Sequence, residues 1–108
     1  MIQVNATQIK EKIESKETFI LDFYADWCGP CKMMMRNIEM AENLLKEGNT
    51  RQVPIYKLDI EANRDFAMEM GIRSIPTLKV FKEGEMIKTN TGVLQANQFI
   101  QLNEELMS

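Results

Sequence analysis

The sequence contains no histidine and only two cysteines, Cys28 and Cys31, among its 108 residues. Without histidine the chain lacks the usual general base near neutral pH and the commonest zinc ligand. The two cysteines lie too close in sequence to staple a fold, so in a reducing compartment the pair indicates catalysis or metal binding. Zinc prefers four ligands, and a site built here would need carboxylates or a second copy of the chain. The pair therefore favours redox chemistry over a zinc site shared in a dimer.

The sequence also lacks long apolar runs and an excess of positive charge. No stretch approaches the roughly 20 apolar residues of a membrane helix, and residues 1–6 show no basic start followed by an apolar segment. Thirteen basic and sixteen acidic residues give a net charge of -3, which argues against nucleic acid or an anionic membrane as a partner. These features predict a cytoplasmic protein. No linker or repeat interrupts residues 1–108, which we interpret as one domain.

Apolar spacing and turn residues predict the element order β-α-β-α-β-α-β-β-α. Asn5 is the expected N-cap of the first helix, with Gln8 at the capping-box position. The nearly continuous apolar run over 18–24 is typical of a strand covered on both faces. We predict strands over 2–4, 18–24, 53–60, 77–81 and 86–89. The first helix is expected after Asn5, the second begins at the cysteine pair and ends with Gly48 as its C′ residue, and two more cover 64–70 and 95–107. In the last helix, Phe99, Ile100, Leu102 and Leu106 are expected to face inward.

The order of these elements predicts an α/β fold. Early alternation of strands and helices requires parallel strands joined by crossover helices, whereas a turn over 82–85 adds an antiparallel hairpin. A mixed central sheet of about five strands, flanked by about four helices, satisfies both requirements.

Four segments resemble the thioredoxin family in the same order along the chain. Residues 20–32, which include WCGPCK, are similar to its active-site strand and loop, and residues 71–78 (GIRSIPTL) are similar to its cis-proline loop. Residues 81–85 (FKEGE) and 91–93 (TGV) resemble its terminal hairpin. The resemblance implies a thioredoxin fold and a monomeric protein-disulfide reductase with no bound cofactor. It also implies disulfide-containing protein substrates and electrons from a thioredoxin reductase, typically fed by NADPH.

The chemistry of the motif is consistent with this resemblance. A cysteine at the start of a helix faces unpaired backbone N–H groups and the positive end of the helix dipole, so the Cys28 thiol should ionise readily and attack a disulfide. Cys31, one turn further along, is expected to resolve the mixed disulfide and leave a Cys28–Cys31 disulfide on this protein. Gly29 and Pro30 between the cysteines match reducing members of the family, whereas oxidising relatives often carry a histidine there.

Asp22 lies inside the apolar run, where an unpaired carboxylate is costly. It is either a polar residue that reaches solvent at a strand end or a buried carboxyl with a raised pKa. The family resemblance implies the second, with Asp22 exchanging a proton with Cys31 through water. Lys57 also matches a family position and is expected to modulate Asp22; the alternative is a surface lysine at a strand end.

The resemblance also implies a docking surface around Cys28. A cis Ile75–Pro76 bond is expected to place the proline ring beside the dithiol and to free the Ile75 backbone to pair with a substrate strand. The expected apolar rim consists of Trp27, Gly29, Pro30, Ile72, Ile75, Pro76, Gly92 and Val93.

Two residues depart from the family pattern. Arg36 occupies the position of a proline that usually kinks the motif helix, which predicts a straighter helix. Ser74 replaces a common glycine and is expected to narrow the choice of partners. The main alternative function is a scaffold subunit with this fold whose dithiol stays silent; retention of the dithiol, Asp22 and Pro76 together argues against it.

Overall fold

The computed structural model describes residues 1–108 and contains five strands and four helices. The strands are β1 (Ile2–Gln3), β2 (Phe19–Tyr24), β3 (Ile55–Asp59), β4 (Thr77–Lys82) and β5 (Glu85–Thr91). The helices are α1 (Ala6–Glu14), α2 (Gly29–Glu47), α3 (Arg64–Glu69) and α4 (Ala96–Met107). The predicted order of elements and the mixed α/β class are confirmed, and no helix is long and apolar enough to span a membrane.

The five strands form one mixed sheet in the order β1-β3-β2-β4-β5. β3 pairs in parallel with both β1 and β2, whereas β4 pairs antiparallel with both β2 and β5. β2 is therefore the central strand, hydrogen-bonded on both edges, and all six of its residues are buried. The late hairpin supplies the antiparallel edge that the sequence predicts.

Alternate residues of β2 enter two hydrophobic clusters on opposite faces of the sheet. Ile20 packs with α2 and α4 residues, including Met34, Ile38, Phe99 and Leu102. On the other face, a second cluster brings β2 together with α1 and α3; its members include Phe19, Leu21, Phe23, Ile9 and Phe66. This double coverage explains why the β2 sequence is almost continuously apolar.

Local hydrogen bonds define the start of α1 and the end of α2. Asn5 and Gln8 make the predicted capping box at the start of α1. Gly48 ends α2, but the prediction that it is the C′ residue is wrong, because its φ is -83° and Asn49 instead has the positive φ of 54°. The N–H of Thr50 donates to the Leu45 carbonyl at 2.8 Å, which completes a Schellman motif with Asn49 at C′.

The inward-facing residues of α4 are buried to different extents. Phe99, Leu102 and Leu106 are buried as expected, Ile100 is half-buried and packs against the same cluster, and Asn103, which the periodicity did not predict, is also buried. The Asn103 side chain accepts a hydrogen bond from the Val53 N–H at 2.7 Å and donates one to the Arg51 carbonyl at 2.9 Å. These bonds satisfy the amide, so its burial carries little penalty.

The turn between β4 and β5 supplies a test of the packing of the hairpin. Gly84 has φ +82°, and a Cβ there would lie 2.6 Å from the Ile13 carbonyl oxygen and 3.0 Å from Lys16 Cα. Gly84→Ala should therefore lower the free energy of unfolding by about 2 kcal/mol or more, through backbone strain and the clash together. Gly71→Ala is the matched control, because Gly71 has φ +71° but no atom within 4 Å of its Cβ position, so strain of about 1 kcal/mol is expected. Equal losses in urea denaturation would contradict the clash.

Candidate active site

Cys28 occupies the N-cap of α2, immediately after the segment that leaves β2. Its backbone is extended, and its Sγ accepts a hydrogen bond from the Cys31 N–H at 3.1 Å. Pro30 lies in the first turn of the helix, where its missing N–H has no cost. The Cys31 N–H and the positive end of the helix dipole therefore both act on the Cys28 sulfur, which is the environment that favours a thiolate.

Cys31 lies inside α2 and is joined to Cys28 in a disulfide. It is fully buried, whereas Cys28 keeps 5% of its surface exposed. Both sulfurs pack in a small cluster with Tyr24 and Ala25, and Met35 and Ile75 border that cluster. The two cysteines are therefore unequal: a partner approaching from solvent meets the Cys28 sulfur first.

Asp22 is fully buried in the middle of β2, which excludes the alternative that it reaches solvent at a strand end. Neither carboxyl oxygen has a hydrogen-bond partner within the protein. Burial raises the pKa of Asp22 to about 7, and the positive charge of Lys57 opposes that rise in part. A carboxyl of this kind changes protonation state near neutral pH, as a proton-exchange partner for a thiol must.

Lys57 lies on β3 directly opposite Asp22 in the parallel pairing, so the two residues share one face of the sheet. It is half-buried and therefore not a free surface lysine. Its ammonium does not form an ion pair with Asp22; the Nζ atom instead lies 5.5 Å from the centre of the Tyr24 ring. The sequence did not indicate Tyr24 as a residue of the site, because only the register of the strands shows which side chains surround Lys57.

The loop before β4 approaches the dithiol from the other side. The Ile75–Pro76 bond is cis, as the family resemblance implied, and the Ile75 carbonyl oxygen lies 3.9 Å from the Cys28 sulfur. Pro76 is buried, and its carbonyl accepts a hydrogen bond from the Gly92 N–H at 2.9 Å. These contacts bring the first cysteine, the proline loop and the segment after β5 together.

The other predicted rim residues differ in how much surface they present. Trp27 is 67% exposed, and Gly29 and Pro30 are also exposed. Ile72 and Val93 are half-buried and pack against opposite core clusters. An exposed indole beside a nearly buried sulfur can serve as an apolar contact for a docking protein.

Metal ligation has no support in the geometry. No group of three or more cysteine, aspartate or glutamate side chains is placed to hold a metal ion.

Known proteins share both the sequence and the architecture of this site. Residues 1–105 match the model of the family described as Thioredoxin. The chain is 41% identical over 91 residues to a thioredoxin of Rickettsia felis, which covers 84% of this chain and 83% of that protein. A thioredoxin of Bacillus subtilis is 38% identical over 93 residues, covering 85% of this chain and 86% of that protein.

Solved structures agree with the sequence relatives. A mutant thioredoxin from Halobacterium salinarum has a TM-score of 0.79 and 28% identity, and the match covers 99% of this chain and 90% of that chain. A chloroplastic thioredoxin z has a TM-score of 0.81 at 24% identity, covering 99% and 94% of the two chains, and supports the fold.

The burial of Asp22 predicts how the stability of the oxidised protein varies with pH. Because its folded pKa lies near 7, above the unfolded value near 3.8, the folded state retains a proton that the unfolded chain has released, and stability falls between about pH 4 and 7. Asp22→Asn removes this penalty and should be more stable above pH 7, by on the order of 4 kcal/mol, with the gain vanishing below about pH 4.

Urea denaturation of the oxidised protein at several pH values measures this difference. Glu39→Gln, which changes an exposed carboxylate on α2, is the control and should shift stability by less than about 0.5 kcal/mol. A gain for Asp22→Asn that stays constant from pH 4 to 8 would rule out titration of Asp22 as its cause.

Proposed function

The chain belongs to the thioredoxin family and acts as a protein-disulfide reductase, and we propose that Cys28 attacks the substrate disulfide while Cys31 resolves the intermediate. The observation that carries this assignment is the asymmetry of the pair. Cys28 lies at the helix N-terminus and keeps 5% of its surface exposed, whereas Cys31 is fully buried.

In the first step, the Cys28 thiolate attacks one sulfur of the substrate disulfide. The substrate S–S bond breaks, a mixed disulfide forms on Cys28, and the departing sulfur leaves as a thiolate that takes up a proton. The N–H of Cys31, which contacts the Cys28 sulfur at 3.1 Å, is placed to stabilise the negative charge before attack.

In the second step, Cys31 loses its proton and attacks the Cys28 sulfur. This attack breaks the mixed disulfide, releases the second substrate thiol and leaves the Cys28–Cys31 disulfide, so two electrons pass to the substrate. Asp22 accepts the Cys31 proton, through water, because its pKa near 7 lets it hold or release a proton under working conditions. The positive charge of Lys57 modulates that exchange.

The substrate docks on the apolar rim around Cys28. The Ile75 carbonyl beside the sulfur supports backbone pairing with an extended substrate segment, and Trp27 supplies the largest exposed apolar surface near it. The remaining rim positions, predicted from the family resemblance, are Gly29, Pro30, Ile72, Pro76, Gly92 and Val93.

Members of this family act on disulfide-containing substrates and receive electrons from reductase partners. We assign a thioredoxin reductase as the electron donor of this chain, a monomeric state and a cytoplasmic location. The scaffold alternative requires a dithiol that does not turn over, and the carboxyl buried behind the dithiol argues against it because a scaffold has no use for that group.

The first prediction of this mechanism concerns the two cysteines. With dithiothreitol as reductant, the wild type should accelerate reduction of insulin disulfides, and Cys28→Ser should lose that acceleration. Cys31→Ser should accumulate a mixed disulfide, visible by intact mass, because it can attack but not resolve. Cys28→Ser should accumulate none; adducts formed on Cys31 alone would reverse the assignment, and full activity of Cys28→Ser would refute the proposed function.

The second prediction concerns the resolving step. Asp22→Asn should slow release of the second substrate thiol by about tenfold or more, because general acid–base catalysis typically contributes 10²–10⁴-fold. The first step should change much less. Rapid-quench mass analysis follows both steps, and Glu39→Gln serves again as the control. An unchanged resolving rate would remove the proton-transfer role of Asp22.

A further inference from the structure

Polar side chains from three neighbouring strands meet behind the dithiol. The pairing of β1 with β3 places Gln3 opposite Lys57, and the pairing of β3 with β2 places Lys57 opposite Asp22. Residues in register on adjacent strands point to the same face, and Tyr24 shares that face because it lies two residues beyond Asp22. Gln3, Lys57, Asp22 and Tyr24 therefore form one cluster, in which only Asp22 and Lys57 have a role in the mechanism proposed above.

Tyr24 links the edge of the sheet to the ammonium of Lys57. The Gln3 side-chain amide donates a hydrogen bond to the Tyr24 hydroxyl at 2.8 Å, and Tyr24 is 3% exposed. The Lys57 Nζ atom lies 5.5 Å from the centre of that ring, within the range of a cation–π interaction. The ring is thus fixed at its hydroxyl end and offers its face to the ammonium.

The position of the Lys57 ammonium matters because no other positive charge acts on Asp22. The protein forms ion pairs at the N-terminus and around α1, but none at Asp22, so the attraction is exerted across space. A lysine side chain is long and flexible, and its ammonium is strongly hydrated. Without a contact that retains it, the charge would extend towards water and act less on the carboxyl.

We propose that Tyr24, anchored by Gln3, is a positioning residue that retains the ammonium of Lys57 beside the Asp22 carboxyl and so sets how readily Asp22 exchanges a proton. This inference rests on the role proposed above for Asp22. It adds two residues to the site, one on the edge strand β1, which sequence reasoning had not connected with the dithiol.

Two carboxylates near the cluster influence the titration of Tyr24. On β3, Asp59 lies opposite Tyr24, and Asp26 follows the end of β2. Burial first, and then these carboxylates, raises the pKa of Tyr24 above its ordinary value, so the phenol stays neutral while Asp22 titrates. On β4, the residue opposite Asp22 is the uncharged Leu78. On α2 the thiols of the reduced dithiol would titrate, and the test therefore uses the oxidised protein.

The test measures the pKa of Asp22 directly, from its carboxyl ¹³C shift in oxidised protein between pH 4 and 10. Lys57→Met should raise it by about one unit, and Tyr24→Leu should raise it in the same direction by about half a unit, because the ammonium is released. Tyr24→Leu combined with Lys57→Met should match Lys57→Met alone, since a residue that acts only through Lys57 has no effect once the charge is gone.

Two milder variants separate anchoring from packing. Tyr24→Phe keeps the ring, and Gln3→Leu changes an exposed edge residue, so both remove the same hydrogen bond without opening the core. They should raise the pKa of Asp22 by equal, smaller amounts, and neither should have an effect in the Lys57→Met background. These variants keep the test available if Tyr24→Leu does not fold.

Three results would overturn the proposal. A lowered pKa in Tyr24→Leu would mean that the ring merely keeps water from Asp22, and an undiminished shift in the Lys57→Met background would mean that Tyr24 acts independently of Lys57. Unchanged values in Tyr24→Phe and Gln3→Leu would overturn the anchoring by Gln3. The titration needs no turnover, so the positioning of Lys57 and the proton-transfer role of Asp22, which the rate of the resolving step tests, can fail separately.

Discussion

Burial of β2 on both faces is the constraint on which the site depends. Each of its six residues is shielded from water, and both of its edges are occupied by neighbouring strands. The carboxyl of Asp22, at its fourth position, is therefore buried without a hydrogen-bond partner within the protein, which is costly for its charged form. The strand ends at Tyr24, shortly before Cys28 caps α2, and its antiparallel neighbour β4 begins directly after Pro76. The central strand therefore connects the segments that carry the carboxyl, the dithiol and the proline loop.

Much of this arrangement could be predicted from the sequence because it follows from short-range patterns. A nearly continuous apolar run over 18–24 predicts a strand covered twice, and Asn5 with Gln8 predicts a helix start, since both depend on neighbours in the chain. The C′ residue of α2 has a similarly local explanation. Asparagine, like glycine, can adopt the left-handed conformation, and Asn49, not Gly48, occupies the C′ position.

Long-range partners could not be predicted in this way. Burial of Asn103 depends on hydrogen bonds to Val53 and Arg51, about fifty positions away, which helical periodicity does not encode. At the site, the sequence allowed Asp22 and Lys57 each to be either a residue that reaches solvent at a strand end or a buried functional residue. Only the strand register and the burial in the structure distinguish these two interpretations. The hydrogen bond between Gln3 and Tyr24 joins the edge strand β1 to the central strand β2. No short sequence motif predicts such a contact, because the two residues are far apart in the chain.

Under the proposed mechanism, the burial of Asp22 lowers the stability of the fold and makes the carboxyl a usable proton acceptor. An ordinary aspartate, with a pKa near 3.9, would be almost wholly ionised at neutral pH and would rarely return a proton to a sulfur. Desolvation moves the pKa of this carboxyl to about 7, where both protonation states are populated, and the same desolvation destabilises the folded protein at that pH. Lys57 acts in the opposite direction, since its charge restrains the rise. A group that positions the ammonium therefore adjusts the free energy of folding and the proton affinity together, because both are set by the same interaction with one buried carboxyl.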